Sequence, residues 1–182
     1  STLNAHHTHP MHLFLYGPPG SGKSTVGKIL ARRLHLPVID LDAVIADSAG
    51  QKIPAIFACE GEAGFRLRET AALKTVTGGA PAVVGLGGGA LLKPENRALA
   101  ETAGEVLCFE ADLATLQARV NRSPGTRPLL SSPQSDCRQP PQAGQGKPIA
   151  QLLAERADHY ASFPRRVTVS DRPPEETADA AQ

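Results

Sequence analysis

Short apolar runs alternate with longer stretches of helical periodicity along most of this 182-residue chain. The apolar runs predict five strands, at residues 12–16, 37–39, 82–86, 105–109 and 166–169. A 3.6-residue repeat of apolar positions predicts helices between them, at residues 23–34, 64–75, 94–103, 113–120 and 149–160. Strands that alternate with helices are typical of an α/β fold, a parallel sheet covered by helices on both faces.

Two polar segments interrupt this pattern. Residues 1–10 carry His6, His7 and His9, and we interpret them as a flexible leader rather than a metal-binding cluster. Residues 131–147 are rich in Ser, Pro, Gln and Gly, which predicts a loop, and loops of this length are often active-site lids. We therefore expect one domain over residues 11–170, with a mobile lid at about 122–148 and a tail over 171–182.

Charge and composition narrow the class of partner. Nineteen Lys and Arg residues against 18 Asp and Glu give a net charge of +1, which offers no basic excess for nucleic acid. No apolar run approaches the roughly 18–20 residues that span a bilayer, so we expect no membrane contact. The cysteines Cys59, Cys108 and Cys137 are far apart in the sequence, which suits reduced thiols in the cytoplasm. The sequence thus favours small-molecule partners.

A phosphate-binding loop follows the first predicted strand. Residues 17–24, Gly-Pro-Pro-Gly-Ser-Gly-Lys-Ser, fit the pattern Gly-x-x-x-x-Gly-Lys-Ser/Thr and open a predicted helix. In such a loop the backbone N–H groups surround phosphates, Lys23 reaches the β- and γ-phosphates, and the Ser24 hydroxyl ligates Mg²⁺. The alternative is a plain glycine-rich turn, which does not need the complete pattern. We expect a nucleoside triphosphate to be bound here by Gly20, Ser21, Gly22, Lys23, Ser24 and Thr25.

Two carboxylates and a run of glycines follow the next two strands. Asp40 and Asp42 can face the phosphate loop together, one holding Mg²⁺ and the other accepting a proton from an attacking hydroxyl. The alternative is that Asp42 caps the following helix and Asp40 is solvated. Residues 87–89 are three successive glycines, which let a small molecule contact the backbone. A plain loop is the alternative for this segment.

Several arginines are candidates for binding anions. Arg66 and Glu69 are three residues apart on a predicted helix, so the carboxylate can orient the guanidinium for bidentate capture of a carboxylate or phosphate. An exposed helix salt bridge is the alternative. Arg127 lies at the start of the predicted lid, where an arginine can close over a transferred phosphoryl group. Arg156 lies on the helix after the lid. Each of these arginines, taken singly, could be surface charge.

In this order and spacing the sequence resembles the shikimate kinase family, which consists of small P-loop kinases of aromatic amino-acid and chorismate biosynthesis. The pieces that carry the resemblance are residues 17–24, Asp40 and Asp42, residues 53–57, Gly61-Glu62-x-x-Phe65-Arg66-x-x-Glu69, residues 87–89, residues 127–130 and Glu155-Arg156-x-x-x-Tyr160. The resemblance implies a three-layer α/β/α fold like that of nucleoside monophosphate kinases, with a five-stranded parallel sheet in the order 2-3-1-4-5. It also implies transfer of the ATP γ-phosphate to the 3-hydroxyl of shikimate.

The resemblance further implies a role for each matching residue. Lys23, Asp42 and Arg127 match catalytic positions, and Asp42 matches the residue that holds the acceptor hydroxyl. Ser24 and Asp40 match the surroundings of Mg²⁺. The shikimate carboxylate and ring substituents would be bound by Asp42, Arg66, Gly87, Gly88, Gly89 and Arg156. Arg119 and Arg127 would lie on the nucleotide, with Arg119 near the adenine.

The sequence departs from the family pattern around the lid. The spacing from Arg127 to Arg156 is longer than usual, because of residues 131–147, and one residue is inserted between Arg119 and Arg127. Two other functions stay open at this point: a P-loop kinase for another small acceptor, such as gluconate or a nucleotide, and a non-catalytic sensor on the same scaffold. Arg66 and Arg156 favour a small carboxylate over a nucleotide. A monomer is the expected state.

Overall fold

The computed structural model describes residues 11–121, 148–170 and 172–181. Its centre is a five-stranded sheet formed by β1 (His12–Tyr16), β2 (Val38–Asp40), β3 (Val83–Gly85), β4 (Gly104–Glu110) and β5 (Arg166–Thr168). All four strand pairings are parallel, and the order is β2-β3-β1-β4-β5. The predicted fold class and strand order are confirmed. Each predicted strand overlaps an observed one.

Helices connect the strands and follow the last one. Within the described ranges they are α1 (Lys23–Leu34), α2 (Leu41–Ala49), α3 (Ile53–Thr77), α4 (Pro94–Ala103), α5 (Leu113–Asn121), α6 (Ile149–Ala161) and α7 (Pro174–Ala180). The helices predicted over residues 23–34 and 94–103 match α1 and α4 at both ends. The first half of α3 and the whole of α7 were not predicted, and α2 was expected only as the helix that Asp42 would cap. No helix in the described ranges is long and apolar enough to cross a membrane.

The sheet separates two hydrophobic layers, because successive side chains of a strand point to opposite faces. Phe14 and Tyr16 of β1 pack into the layer that includes α2, α3, α4 and α6. Leu13 and Leu15, also of β1, pack into the layer beneath α1 and α7. Parallel strands covered on both faces are buried throughout, and all five residues of β1 are buried. The result is the three-layer arrangement expected from the sequence.

Two glycines occupy positions where a side chain would clash or would strain the backbone. Gly17 follows β1 with φ of 127°, and a methyl group there would lie 2.5 Å from the carbonyl oxygen of Phe109. No side chain fits at that position, so the phosphate loop lies against β4. Gly61 interrupts α3 with φ of 68° and ψ of −174°, a combination that is almost confined to glycine. α3 is therefore two helical segments that meet at Gly61.

Candidate active site

A cleft of about 480 Å³ opens at the carboxyl ends of β1, β2 and β3, the edge at which parallel α/β sheets bind ligands. Glycines and charged side chains from distant parts of the sequence line it together. The lining includes Gly20, Gly22, Lys23, Ser24, Thr25, Asp40, Asp42, Phe57, Arg66, Glu69, Gly87, Gly88, Gly89, Arg119, Leu152 and Arg156. Arg127 and the predicted lid lie outside the described residues.

The phosphate loop forms one wall of the cleft. Gly22 caps α1 in the left-handed conformation and has no side chain to bond the first amides of the helix. Such a helix N-terminus carries positive potential and suits phosphate. The Lys23 ammonium donates to the carbonyl oxygens of Gly17, at 2.8 Å, and Pro18, at 2.9 Å. The ammonium therefore lies within the loop, where phosphate oxygens would be close to it.

Arg119 extends this wall from α5. A methyl group at Gly22 would lie 3.6 Å from the guanidinium of Arg119, and one at Gly20 would lie 3.2 Å from the carbonyl oxygen of Leu116. The guanidinium also donates to the carbonyl oxygen of Val169 at 3.4 Å. α5 thus packs directly on the phosphate loop. Arg119 lies beside the same loop.

The two carboxylates after β2 have different surroundings. Asp40 is the residue that caps α2, and its carboxylate accepts a hydrogen bond from the Asp42 backbone N–H at 3.0 Å. The alternative in which Asp42 caps this helix is therefore wrong, since Asp42 lies in the first turn. A methyl group at Gly87 would lie 3.6 Å from Asp42 Oδ1. Asp42 is thus close to the glycine loop, residues 87–89.

Arg66 is held by a buried carboxylate in the floor of the cleft. Its Nη1 donates to Glu69 Oε2 at 2.6 Å, and its Nη2 donates to Glu62 Oε1 at 3.1 Å. The Glu69 side chain is only 1% exposed, which excludes the exposed helix salt bridge. Burial raises the pKa of Glu69, and the Arg66 guanidinium opposes that shift. Glu69 Oε1 has no hydrogen-bond partner within the described structure.

The glycine loop lies between Arg66 and Arg156. A methyl group at Gly89 would lie 2.7 Å from Arg66 Nη2. Arg156, which is buried, places Nη1 at 3.1 Å from the carbonyl oxygen of Gly88. Two phenol groups also lie within hydrogen-bond distance of that oxygen, Tyr160 Oη at 2.6 Å and Tyr16 Oη at 3.2 Å. Two guanidinium groups therefore adjoin one short backbone segment.

The donor set suits a magnesium ion that is bound mainly by phosphate. Ser24, Asp40 and Asp42 line the cleft with oxygen ligands, which Mg²⁺ prefers. Within residues 11–121, 148–170 and 172–181, no three His, Cys, Asp or Glu side chains form a metal cluster. Mg²⁺ usually takes one or two carboxylates together with waters and substrate phosphates, rather than a complete protein cage. The residues present fit that pattern.

Of the predicted site residues that the structure describes, only Ser21 does not line the cleft, because its side chain is buried in the loop. Leu152 of α6 was not predicted as a site residue, but it lines the cleft. Helical periodicity marks Leu152 as apolar and inward-facing but does not distinguish a cleft wall from the core. The role of the Gly88 carbonyl was also missed, since a backbone oxygen leaves no mark in the sequence.

Comparisons with known proteins agree with this geometry. A model of the shikimate kinase family matches residues 19–181. The shikimate kinase of Gloeobacter violaceus is 40% identical over 162 residues, which cover 89% of this chain and 85% of that protein. The enzyme of Salinibacter ruber is 43% identical over 167 residues, or 92% of this chain and 80% of its own.

A solved structure agrees as well. The shikimate kinase from Acinetobacter baumannii in complex with shikimate superposes with a TM-score of 0.79 and 30% identity, covering 93% of this chain and 89% of that chain. These matches extend over nearly all of the residues that line the cleft. The chain belongs to the shikimate kinase family.

Proposed function

We propose that this kinase transfers the γ-phosphate of ATP to the 3-hydroxyl of shikimate, giving shikimate 3-phosphate and ADP. The observation that carries the proposal is that a phosphate loop, a carboxylate and two arginines line one cleft. The loop suits a nucleotide, and the arginines suit a small carboxylic acid. Membership of the shikimate kinase family supports the same reaction.

The phosphate loop would hold the donor. Lys23 would exchange its bonds to the carbonyl oxygens of Gly17 and Pro18 for bonds to the β- and γ-phosphates. Arg119, which lies beside the loop, would lie near the adenine. Ser24 and Asp40 would hold Mg²⁺, which when bound neutralises charge on the β- and γ-oxygens. The exposed position of Ser24 in the first turn of α1 supports this assignment.

The glycine loop and its two arginines would hold the acceptor. Shikimate is a small anion with neighbouring hydroxyl groups, so it needs a positive site for its carboxylate and close polar contacts for its ring. Arg66 and Arg156 would bind the carboxylate through charge-assisted hydrogen bonds. Gly87, Gly88 and Gly89 would bring the backbone near the ring. The contacts of both arginines with this loop support the assignment.

Asp42 would orient the hydroxyl that attacks. The 3-hydroxyl oxygen forms a bond to the γ-phosphorus, the bridging bond to ADP breaks, and the hydroxyl proton passes to the Asp42 carboxylate. Phosphoryl transfer needs little covalent help from the protein, so positioning is the larger contribution. The closeness of Asp42 to Gly87 supports this role. The role of Arg127 over the transferred phosphoryl group stays a prediction.

Steady-state kinetics with three acceptors test the proposed function. Shikimate, quinate and gluconate are compared at saturating ATP and Mg²⁺, with ADP release coupled to NADH oxidation. We expect kcat/KM for shikimate to exceed that for gluconate by at least about 100-fold, since gluconate is an open chain that does not present its hydroxyl groups as the ring does. Quinate, which has the same ring hydroxyls and one more, should be rejected less strongly. Equal turnover of gluconate would instead support the kinase of another hydroxy acid. Tight ATP binding without turnover of any acceptor would contradict the proposal.

We further propose that the enzyme acts as a monomer in the cytoplasm. Sedimentation velocity at several protein concentrations tests this state, and a second, concentration-dependent boundary would contradict it. The predicted boundaries of the leader, lid and tail stay predictions.

A further inference from the structure

Behind the glycine loop, a tyrosine and a histidine form a hydrogen-bonded pair that the proposed chemistry does not use. Tyr16 is the last residue of β1, immediately before the phosphate loop, and it is completely buried. Its hydroxyl oxygen lies 3.2 Å from the carbonyl oxygen of Gly88 and 3.1 Å from Nε2 of His159. The Tyr16–His159 pair therefore connects α6 to the Gly88 carbonyl group, which Arg156 also contacts.

The carbonyl oxygen of Gly88 has more donors than lone pairs. Tyr160, Arg156 and Tyr16 lie 2.6, 3.1 and 3.2 Å from it, whereas a carbonyl oxygen has two lone pairs. Tyr16 has one hydroxyl proton, so it can donate either to Gly88 or to His159. If Tyr16 donates to Gly88, it competes with Arg156 for the second lone pair. If Tyr16 donates to His159, the second lone pair of the Gly88 carbonyl oxygen is left for Arg156.

The surroundings of His159 favour its neutral form, which can accept this proton. Burial lowers the pKa of His159, and the positive charges of Arg97 on α4 and Arg156 on α6 lower it further. The phenols of Tyr16 on β1 and Tyr160 on α6 also adjoin the imidazole ring, and burial raises the pKa of both, so they stay neutral beside it.

The imidazole ring is also held in place mechanically. It packs edge-on against Phe163, with ring centroids 5.3 Å apart. Arg97 stacks 4.2 Å above the same phenylalanine ring and donates to Ser162 Oγ at 2.7 Å. Ser162 Oγ in turn donates to the carbonyl oxygen of His159 at 2.7 Å. The end of α6 is thus fixed from α4, and Nε2 stays within reach of Tyr16.

We propose that His159 is a positioning residue, which accepts the hydroxyl proton of Tyr16 and so leaves the Gly88 carbonyl to Tyr160 and Arg156. By this arrangement His159 keeps the Arg156 guanidinium on the glycine loop without contacting either substrate. The kinetic consequence rests on the proposed phosphorylation of shikimate. The hydrogen-bond arrangement itself is independent of the substrate.

A suppressor experiment separates this role from simple packing. We expect His159→Leu to raise the KM for shikimate about five- to tenfold, because the Tyr16 proton then turns to Gly88 and displaces Arg156. The KM for ATP and kcat should stay within about twofold. Adding Tyr16→Phe removes the competing proton, so the double variant should return to within about twofold of the wild type. In His159→Gln the side-chain amide oxygen can still accept the Tyr16 proton, so the KM for shikimate should also stay within about twofold of the wild type.

The opposite pattern would overturn the proposal. A double variant with a KM equal to or higher than that of His159→Leu would mean that the pair acts through packing alone. Circular dichroism and thermal unfolding of each variant show whether it folds. If His159→Leu does not fold, a KM for His159→Gln more than about fivefold above that of the wild type overturns the proposal just as well.

A spectroscopic measurement on the wild-type enzyme needs no substrate. Long-range ¹H–¹⁵N NMR of the imidazole distinguishes the two neutral tautomers. We expect the proton of His159 on Nδ1, with Nε2 unprotonated as an acceptor at neutral pH. A proton on Nε2 would overturn the proposal. If the wild type does not phosphorylate shikimate, the proposed function fails, while this measurement still decides the hydrogen-bond arrangement.

Discussion

At the residue scale, Glu69 is a carboxylate that the fold buries while pairing it with one arginine. Burial raises its pKa, so ionising it costs more in the folded protein than in the unfolded chain. The raised pKa favours the fold at pH values below the unfolded pKa of a glutamic acid. That contribution is lost as pH rises through the higher, folded pKa. At neutral pH the ionised Glu69 therefore orients the Arg66 guanidinium, and its burial lowers the free energy of unfolding.

Glu69→Gln should weaken acceptor binding without destabilising the fold at neutral pH. We expect the KM for shikimate to rise about tenfold, because a charge-assisted hydrogen bond to Arg66 is lost. The Tm at neutral pH should equal or exceed that of the wild type, and the difference should shrink as pH falls below the pKa of Glu69. Steady-state kinetics check the KM for shikimate, and thermal unfolding at a series of pH values checks the difference in Tm.

Glu62→Gln is the matched control, since Glu62 also bonds Arg66 but its side chain is 58% exposed. Exposed ion pairs contribute little, so its KM should change less than about twofold. Equal effects of the two substitutions would contradict the role given to burial.

Gly89 lies close enough to Arg66 that a methyl group would displace the guanidinium. Gly89→Ala would place Cβ 2.7 Å from Arg66 Nη2, so we expect the KM for shikimate to rise about tenfold with a Tm within a few degrees of the wild type. The end of a side chain can shift at little cost to stability. Gly78→Ala, whose methyl would lie 3.5 Å from its nearest neighbour, is the control. An unchanged KM for Gly89→Ala would contradict the assignment of Arg66.

At the element scale, the sequence predicted the strands and the strongly periodic helices but not α7 or the start of α3. α7 has seven residues and buries only Thr177 and Ala178, so no apolar repeat identifies it. In α3, Gly61 interrupts the helix, so the periodicity breaks where the two segments meet. Both elements owe their structure to packing on the rest of the domain, which a local pattern does not record.

Ala178 tests whether the packing of α7 stabilises the domain. It is fully buried in the layer beneath α1, so Ala178→Asp would place an unpaired charge in an apolar environment. We expect the Tm to fall by about 5 °C or more, with KM values close to those of the wild type at 25 °C. Ala180→Asp, on an exposed position of the same helix, should leave the Tm within about 2 °C. Equal Tm values for both variants would contradict the docking of α7.

At the scale of the whole molecule, the charged residues that line the cleft could be predicted from the chemistry of their side chains. The fold brings them together from distant parts of the sequence. Lys23, Asp42, Arg66 and Arg156 could be named from the sequence because each carries its chemistry in its side chain. The convergence of Tyr16, Arg156 and Tyr160 on the Gly88 carbonyl could not be predicted. That contact joins β1 and α6 to a loop far away in the sequence, and its acceptor is a backbone oxygen.

The most direct test of the two-substrate account is the identity of the product. The enzyme is incubated with ATP, Mg²⁺ and shikimate, and two-dimensional ¹H–³¹P NMR identifies the phosphorylated hydroxyl. We predict one new phosphate monoester, at the 3-hydroxyl, and its loss by at least about 100-fold in Asp42→Asn, while ATP affinity stays within about threefold. Phosphate on another hydroxyl, or no product from a folded enzyme that binds ATP, would contradict the account.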